Sequence, residues 1–184
     1  ATGHVIRPAR LWLGAQHSED VPAVAVAPER HVLYGYSARH DSAAVDRMLG
    51  GYEGYLVADA HSVYDHLYVD GACLEVGCWA HSRRYFFKAL EHDPERATEA
   101  LALIRALFQL ERQFAGWTPK RRKRERQRQS GPIVDLFESW CDEHERTCVG
   151  DTPIARAIQY ARNQRTALRR FLEDGRLPLH NNIS

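Results

Sequence analysis

Short apolar runs separated by Gly, Pro and Asp dominate the first eighty residues, a pattern typical of strands joined by turns. Residues 10–16, "RLWLGAQ", and residues 31–38, "HVLYGYSA", are predicted strands. The stretch between them, "EDVPAVAVAPE", is predicted to be a turn or an irregular link. Two further strands are predicted in "YLVAD", at residues 55–59, and in "ACLEVGCWA", at residues 72–80.

A short helix is predicted in "DSAAVDRMLGG", where either Asp41 or Ser42 can cap the first turn and the Gly50–Gly51 pair can end the last one. Residues 62–67 can form another short helix. Strand, strand, helix, strand, short helix and strand together make a mixed α/β layout. The predicted apolar side of the first helix consists of Ala44, Val45, Met48 and Leu49.

From about residue 81 the apolar positions recur every three to four residues, which predicts helices. In "SGPIVDLFESWCDEHE", Ser130 or Gly131 is the predicted cap and Pro132 lies in the first turn. A last helix is predicted to begin after Thr152 and to continue to Gly175. An earlier helix is predicted around residues 101–114. Its apolar stripe consists of Leu103, Leu107, Leu110 and Phe114, with Leu101, Ile104 and Phe108 beside it.

The composition, with 44% hydrophobic and 27% charged residues among 184, is ordinary for a soluble globular protein. No apolar run approaches the roughly 20 residues that cross a bilayer, so we expect a cytoplasmic protein with no membrane partner. The four cysteines form no C-x-x-C pair and are expected to be reduced thiols. A net charge of +1 means that any affinity for nucleic acid depends on where the cations lie.

The densest cluster of cations is "KRRKRERQRQ", residues 120–129, with seven basic residues and one acid. Two interpretations remain open. The run is either a solvated surface or a contact for DNA phosphates, and a phosphate contact would make DNA affinity depend on salt.

Asp59 follows directly on the apolar run "YLVA". Open α/β sheets place ligands and reactive groups at such strand ends. A strand-end aspartate can equally cap the following helix, here the one predicted at residues 62–67.

"GCWAHSRRYFFKA", residues 77–89, is a second cluster of reactive residue types. Cys78 and His81 have a spacing that suits half of a zinc site, for which Cys73 is a candidate third ligand. Alternatively Cys78 and Trp79 are core residues, and a helix begins at His81 with Tyr85, Phe86 and Phe87 supplying its packing. Two adjacent arginines, Arg83 and Arg84, could bind a phosphate in a bidentate manner.

The order of three segments, "GYLVADAHSVYD", "GCWAHSRRYFF" and "IARAIQYARNQRTALRRFLEDGRLPLHNN", resembles the bacterial insertion sequence 66 family of DDE transposases. The resemblance also includes "RLWLG" and covers nearly the whole chain. It implies an α/β fold with an RNase H-like mixed sheet and a large all-helical insertion, and leaves open whether the sheet lacks its first strand. By this resemblance, residues 1–92 form a partial core, residues 93–175 the insertion, and residues 176–184 lead toward the third catalytic acid.

The resemblance also implies the chemistry, which is DNA cleavage and strand transfer by two Mg²⁺ or Mn²⁺ ions held by three carboxylates in the intact protein. Asp59 matches the second carboxylate and is both a predicted catalytic residue and a predicted metal ligand. His61, His81, Asn181 and Asn182 are predicted neighbours of the active site. The implied partners are DNA, as transposon ends and target, and further copies of the chain. The predicted DNA contacts are Arg83, Arg84, Lys120, Arg121, Arg122, Lys123 and Arg124.

Two of the three acids of the family pattern have no counterpart in these residues. The first belongs upstream of "RLWLG", where "ATGHVIRPA" contains no Asp or Glu, and the third follows the Asn181–Asn182 pair after two more residues. Asp41, Asp65 and Asp70 are not expected to replace them. We therefore expect these residues alone to be inactive. The alternatives are a non-catalytic DNA-binding or assembly remnant of a transposase, and a zinc-binding structural domain built on Cys73, Cys78 and His81.

Overall fold

The protein was analysed as a computed structural model, which describes residues 11–12, 23–26, 32–35, 42–58, 60, 62–148 and 150–181. For residues 11–12, 23–26, 32–35, 44, 47 and 48 the description covers the backbone alone. The chain divides into two compact units. The first consists of Ala1–Val76 with Asn181–Ser184 and contains the strands, and the second, Gly77–His180, is helical.

The first unit is built on two small sheets. Strand β4 lies between β1 and β5, and it runs parallel to β1 with Leu11 opposite Leu56 and Trp12 opposite Val57. Strands β2 and β3 form a separate antiparallel pair. The strands are β1 Leu11–Trp12, β2 Ala23–Val26, β3 Val32–Gly35, β4 Gly54–Ala58 and β5 Cys73–Gly77.

Each of the four predicted strands overlaps a strand of the structure: β4 begins one residue earlier than predicted and β5 is shorter at both ends. The prediction of a turn or irregular link in residues 19–29 was wrong. This segment contains β2, whose Val24 and Val26 lie opposite Tyr34 and Val32 of β3. Alternating β-branched residues suit a pleated strand, and the cross-strand partner outweighs the turn tendency of the flanking prolines.

A small apolar core lies under the first unit's helix α1, Ser42–Leu49, and a 3-10 helix, Ser62–Tyr68. Both short helices were predicted. Gly50 and Gly51 end α1 as expected, because the Gly50 N–H donates to the Asp46 carbonyl and Gly51 has a φ of 74°. The predicted cap Asp41 lies outside the described residues. The buried members of the core are Val45, Leu49, Leu56, Ala58, Val63, Tyr64 and Cys73.

The second unit contains six α-helices within the described residues. Thr152 caps α6 through the Ala155 N–H, with Pro153 in the first turn, as predicted. The helices are α2 Trp79–Ala89, α3 Pro94–Gln113, α4 Pro119–Glu125, α5 Gly131–Glu145, α6 Pro153–Asn163 and α7 Arg165–Arg169.

Two predicted helix boundaries were wrong. Helix α2 begins at Trp79 rather than at His81. The last helix does not reach Gly175, because α6 ends at Asn163 and is followed by α7 and a 3-10 turn, Arg170–Leu172.

No cap precedes α5, since Ser130 is itself helical and its side chain accepts no capping hydrogen bond. A π-helix, Arg126–Ser130, instead joins α4 to α5 without a break. A proline inside a continuous helix lacks an N–H and crowds the carbonyl four residues before it, and a wider π turn relieves that crowding. The π-helix therefore accommodates Pro132.

Trp79 is the largest fully buried side chain of the helical unit. Its indole Nε1 donates to the Leu168 carbonyl at 2.8 Å, and its ring packs edge-on against Phe137 and Phe171. Gly77 permits this close packing, because a Cβ there would lie 2.8 Å from the Leu168 nitrogen. The last residue of β5 thus has to be glycine.

The fold is α/β and mostly helical. Among the described helices, none combines the length and apolar character needed to cross a membrane. The division into a core ending at residue 92 and an insertion ending at residue 175 stays a prediction, and the compact units divide the chain at Val76/Gly77 and His180/Asn181 instead.

Candidate active site and nucleic-acid interface

The buried strand β4 leads directly to the predicted catalytic position. Leu56, Val57 and Ala58 are at most 2% exposed, and β1 and β5 flank the strand on both sides. Such a strand has little freedom to shift, so it fixes the backbone at its end. Asp59 and His61 themselves lie outside the described residues, and their roles stay predictions.

Ala60, between those two positions, has a left-handed backbone with a φ of 62°. For a residue with a Cβ this conformation costs roughly 1–2 kcal/mol. Such outliers persist where surrounding structure fixes them, and they are concentrated at functional sites. The backbone therefore carries strain at Ala60, the residue next to Asp59 in the sequence.

Three described acids of this unit, Asp46, Asp65 and Asp70, are engaged in local contacts or exposed. Asp46 lies 2.7 Å from His66, and the Asp70 carboxylate accepts the Ala72 N–H. Asp65 is exposed on the 3-10 helix. Within the described part of the chain, no group of three or more His, Cys, Asp or Glu residues could hold a metal ion.

The absence of such a group among the described residues also concerns the zinc site predicted at Cys73, Cys78 and His81. Cys73 and Cys78 are buried, with 3% and 1% exposure, as expected of core residues. Burial raises the pKa of Cys73 to about 11, with the carboxylates of Asp70 and Glu75 adding to the shift. Since a thiol must lose its proton to bind zinc, this environment disfavours a metal ligand. The zinc-binding interpretation finds no support in the described residues.

His81 lies on α2 in an aromatic cluster of the helical unit. Its ring centroid is 5.8 Å from those of both Tyr85 and Tyr160, and the two tyrosine rings stack at 4.5 Å. This packing is a structural environment for His81, and its predicted place near the active site is untested.

The segment that leads to the terminal asparagines is held firmly within the helical unit. The Trp79 N–H donates to the Leu179 carbonyl at 3.0 Å, and the His180 ring stacks on Phe108. Asn181 follows directly, is 9% exposed, and belongs to the unit that contains the sheet. Asn182 lies outside the described residues.

Arg126 fixes the start of the same segment. Its guanidinium is completely buried and makes two hydrogen bonds to the Glu111 carboxylate, at 2.9 and 2.5 Å. The Nη1 atom donates to the carbonyl oxygens of Phe171, Asp174 and Leu177. A residue of the basic run thus serves as the internal anchor of residues 171–177 rather than as a surface cation.

The remainder of the basic run divides into three groups. Arg122 is half-buried and donates to the carbonyls of Gly175 and Trp117. Arg124 and Arg128 form ion pairs with Glu125, and the pKa of Glu125 is lowered by hydrogen bonds from Arg128 first and then Gln129. The exposed cations of the run without an acidic partner among the described residues are Lys120, Arg121 and Lys123.

Arg83 and Arg84 are exposed on α2, and Lys88 extends the same surface by one turn. Phe87 lies on the same surface, between the two arginines and Lys88 in the sequence, and is 62% exposed. The prediction that it supplies packing was wrong, because only Phe86 of the three adjacent aromatics is fully buried.

Sequence reasoning missed Phe87, Lys88 and the burial of Arg126. For Phe87 a signal existed, since starting α2 at Trp79 puts Ser82, Phe86 and Ala89 on one side and residue 87 on the other. For Arg126 no signal existed, because its partners are 15 to 51 positions away in the chain.

Comparisons with known proteins identify the family of the chain. A family model described as "Transposase IS66 family" matches residues 7–184. Two proteins of Sinorhizobium fredii named "Uncharacterized protein", y4qI and y4jD, are 33% and 28% identical over 95% of this chain. The chain spans about a third of their length, 34% and 35%. No solved structure matches it significantly. The extent of the family match shows that the chain belongs to the transposase IS66 family.

Proposed function

We propose that the chain is part of the catalytic domain of a DDE transposase, with an RNase H-like core that cleaves DNA and joins strands in the cytoplasm. Asp59 is the carboxylate that this chain contributes to a pair of Mg²⁺ or Mn²⁺ ions. The observation that carries the proposal is the buried strand β4, flanked by β1 and β5, which ends at Ala58 directly before Asp59.

The chemistry explains why a strand end suits this carboxylate. Phosphodiester cleavage by two metal ions requires that both stay fixed relative to the attacking and leaving oxygens. The last three residues of β4 are buried, so the packing of the sheet holds the backbone that leads to this carboxylate. The residues of this chain therefore position the metal ions. The ions, when bound, act as Lewis acids that stabilise the charge of the transition state.

The tail of the helical unit supports a second part of the proposal. Arg126 and Trp79 hold residues 171–179 through backbone carbonyls, and Asn181 then joins the unit that contains the sheet. In the DDE pattern the third acid follows this asparagine pair. The helical unit thus sets the path of the segment that leads to it.

A second candidate function is DNA binding or assembly without catalysis. The exposed cations of α2 and α4 favour it, because they suit phosphates whether or not metal ions are bound. Residues 1–184 contain one of the three acids, so we propose that this polypeptide by itself binds DNA and does not cleave it.

Cleavage of transposon-end DNA by the protein at its natural encoded length tests the proposal. We expect Mg²⁺-dependent cleavage that Asp59→Asn abolishes while DNA affinity stays unchanged. Asp65→Asn is the matched control, since Asp65 is an exposed acid six residues away and its loss should leave cleavage intact. Cleavage retained by Asp59→Asn would refute the assignment.

A further inference from the structure

We propose that the outward face of α2 binds DNA at an unpaired nucleotide, with Arg83, Arg84 and Lys88 on the phosphates and Phe87 stacked on the base. This inference rests on the proposed function for one point, that DNA is the substrate. It assigns a task to Phe87 and Lys88 and specifies which form of DNA α2 binds.

Helical spacing places the four side chains on one face. Arg83 and Phe87 are four residues apart, as are Arg84 and Lys88, so the cations surround the ring on the helix surface. Phe87 is one of three large apolar side chains exposed among the described residues, and it is 62% exposed. An aromatic ring surrounded by cations is a typical platform for single-stranded nucleic acid.

The opposite face of α2 is rigidly packed. Trp79, Ser82, Phe86 and Ala89 are all buried, and Trp79 is held by hydrogen bonds from its backbone and its indole. A ligand on the outward face therefore meets a backbone that is already ordered. Only side-chain freedom is lost on binding, which keeps the entropic cost low.

The charge of this face is not neutralised by its surroundings. None of Arg83, Arg84 and Lys88 has an acidic partner within the described part of the chain. In the basic run Glu125 pairs with Arg124 and Arg128, although Lys120, Arg121 and Lys123 have no acidic partner among the described residues. The α2 face differs by having the exposed Phe87 ring among its cations, and its paired guanidinium groups suit phosphate oxygens.

The exposed ring distinguishes an unpaired strand from a duplex. Duplex phosphates offer cations a partner but offer a phenyl ring no apolar surface, because the bases are stacked inside. An unpaired base exposes its flat face, and stacking it on an aromatic side chain is worth roughly 1–3 kcal/mol. Phe87 should therefore add affinity only where a base is unpaired.

Fluorescence anisotropy of the 184-residue chain with a single strand, a blunt duplex and a duplex with an overhang tests the proposal. We expect Phe87→Ala to weaken single-strand and overhang binding roughly tenfold and to leave blunt-duplex binding unchanged. Arg83→Ala and Lys88→Ala should each reduce the salt slope of single-strand binding by about 0.7.

Two exposed residues on other helices give matched controls. Leu136→Ala removes an exposed apolar side chain from α5, and Arg105→Ala removes an exposed cation from α3. Neither should change DNA binding. All five substituted residues are exposed, so thermal unfolding should confirm that each variant folds.

Equal binding of all three DNAs with no effect of Phe87→Ala would overturn the proposal. Self-association that Phe87→Ala abolishes would also overturn it, since the ring would then contact a second copy of the chain. These results are separate from the cleavage test, because loss of catalysis in Asp59→Asn predicts nothing about the affinity of α2 for an unpaired base.

Discussion

The Arg126 guanidinium is completely buried and lies 2.5 Å from a carboxylate oxygen of Glu111. This ion pair joins the π-helix to α3, and the same guanidinium binds three carbonyls in residues 171–177. One side chain therefore connects three segments that are distant in sequence. The helical unit depends on it for the path of its last residues.

Breaking this pair should be costly. Glu111→Gln leaves a buried cation without its anion, and such losses destabilise proteins by about 3–5 kcal/mol. Urea unfolding measures the change. Glu125→Gln is the control, since the side chains of its partners Arg124 and Arg128 are 72% and 69% exposed, and solvent should make its effect much smaller than that of Glu111→Gln. Equal effects of the two substitutions would mean that burial of Arg126 contributes nothing.

Gly77 should tolerate no side chain. A Cβ there would lie 2.8 Å from the Leu168 nitrogen, so Gly77→Ala should destabilise the protein by about 1–3 kcal/mol. Gly131→Ala provides the opposite case, because its Cβ would meet no atom closer than 3.9 Å at the start of α5. There alanine should stabilise the helix by about 0.5–1 kcal/mol. Thermal unfolding compares the two, and a neutral Gly77→Ala would contradict the packing.

Acid should weaken the contacts that α5 makes with α6 and α7. Hydrogen bonds from Arg165, and then Arg162, lower the pKa of Asp142 below its ordinary value of 3.8. The folded state thus binds this proton more weakly than the unfolded state, so the pair stabilises the fold above the ordinary pKa and is lost as the pH falls through the folded value. The carboxylate is 40% exposed, so the effect should be about 1 kcal/mol or less.

Urea unfolding of Asp142→Asn at neutral and acidic pH measures this contribution. The free energy of unfolding should be lower for Asp142→Asn than for the unsubstituted protein at neutral pH, and the two should be equal in strong acid. Asp151→Asn is the control, because Asp151 is 80% exposed in its pair with Arg156. A difference for Asp142→Asn that persisted in strong acid would contradict the assignment.

The four thiols should react in a definite order. Cys148 is partly exposed, whereas Cys73, Cys78 and Cys141 are buried. Burial, reinforced by Asp142, raises the pKa of Cys141 to about 12, so its thiolate is scarce near neutral pH. Iodoacetamide labelling read by mass spectrometry should modify Cys148 first and the others only in denaturant. Equally fast labelling of Cys141 in the folded protein would refute its burial.

The sequence predicted those elements whose signals are local. Thr152 and Pro153 specify the start of α6, and Gly50 and Gly51 specify the end of α1, because caps and glycines act within one turn. The predicted apolar side of the last helical segment is buried as expected, from Ile154 to Leu172.

Features that depend on distant partners were not predictable in this way. Strand β2 needs β3 as its antiparallel neighbour, and the path of residues 171–177 needs the hydrogen bonds from Arg126. The basic run looked uniform in sequence, yet Arg122 and Arg126 are used internally while Lys120 and Lys123 are exposed. Composition shows how many cations a segment has, and only tertiary contacts show which ones are available to a ligand.

The family resemblance, and not the hydrophobic pattern, indicated that Asp59 binds metal. An apolar run that ends at an aspartate is compatible with a helix cap or with a metal ligand. The buried strand β4 and the left-handed Ala60 show that the described backbone around that point is constrained, and the assignment of Asp59 to metal binding stays a proposal.

Anomalous diffraction from crystals of the natural-length protein soaked in Mn²⁺ tests the central claim most directly. We expect anomalous density within coordination distance of the Asp59 carboxylate, roughly 2 Å, and its loss in Asp59→Asn crystals. An Asp59 carboxylate that instead accepts N–H groups at the start of the 3-10 helix, with no anomalous density beside it, would contradict the account.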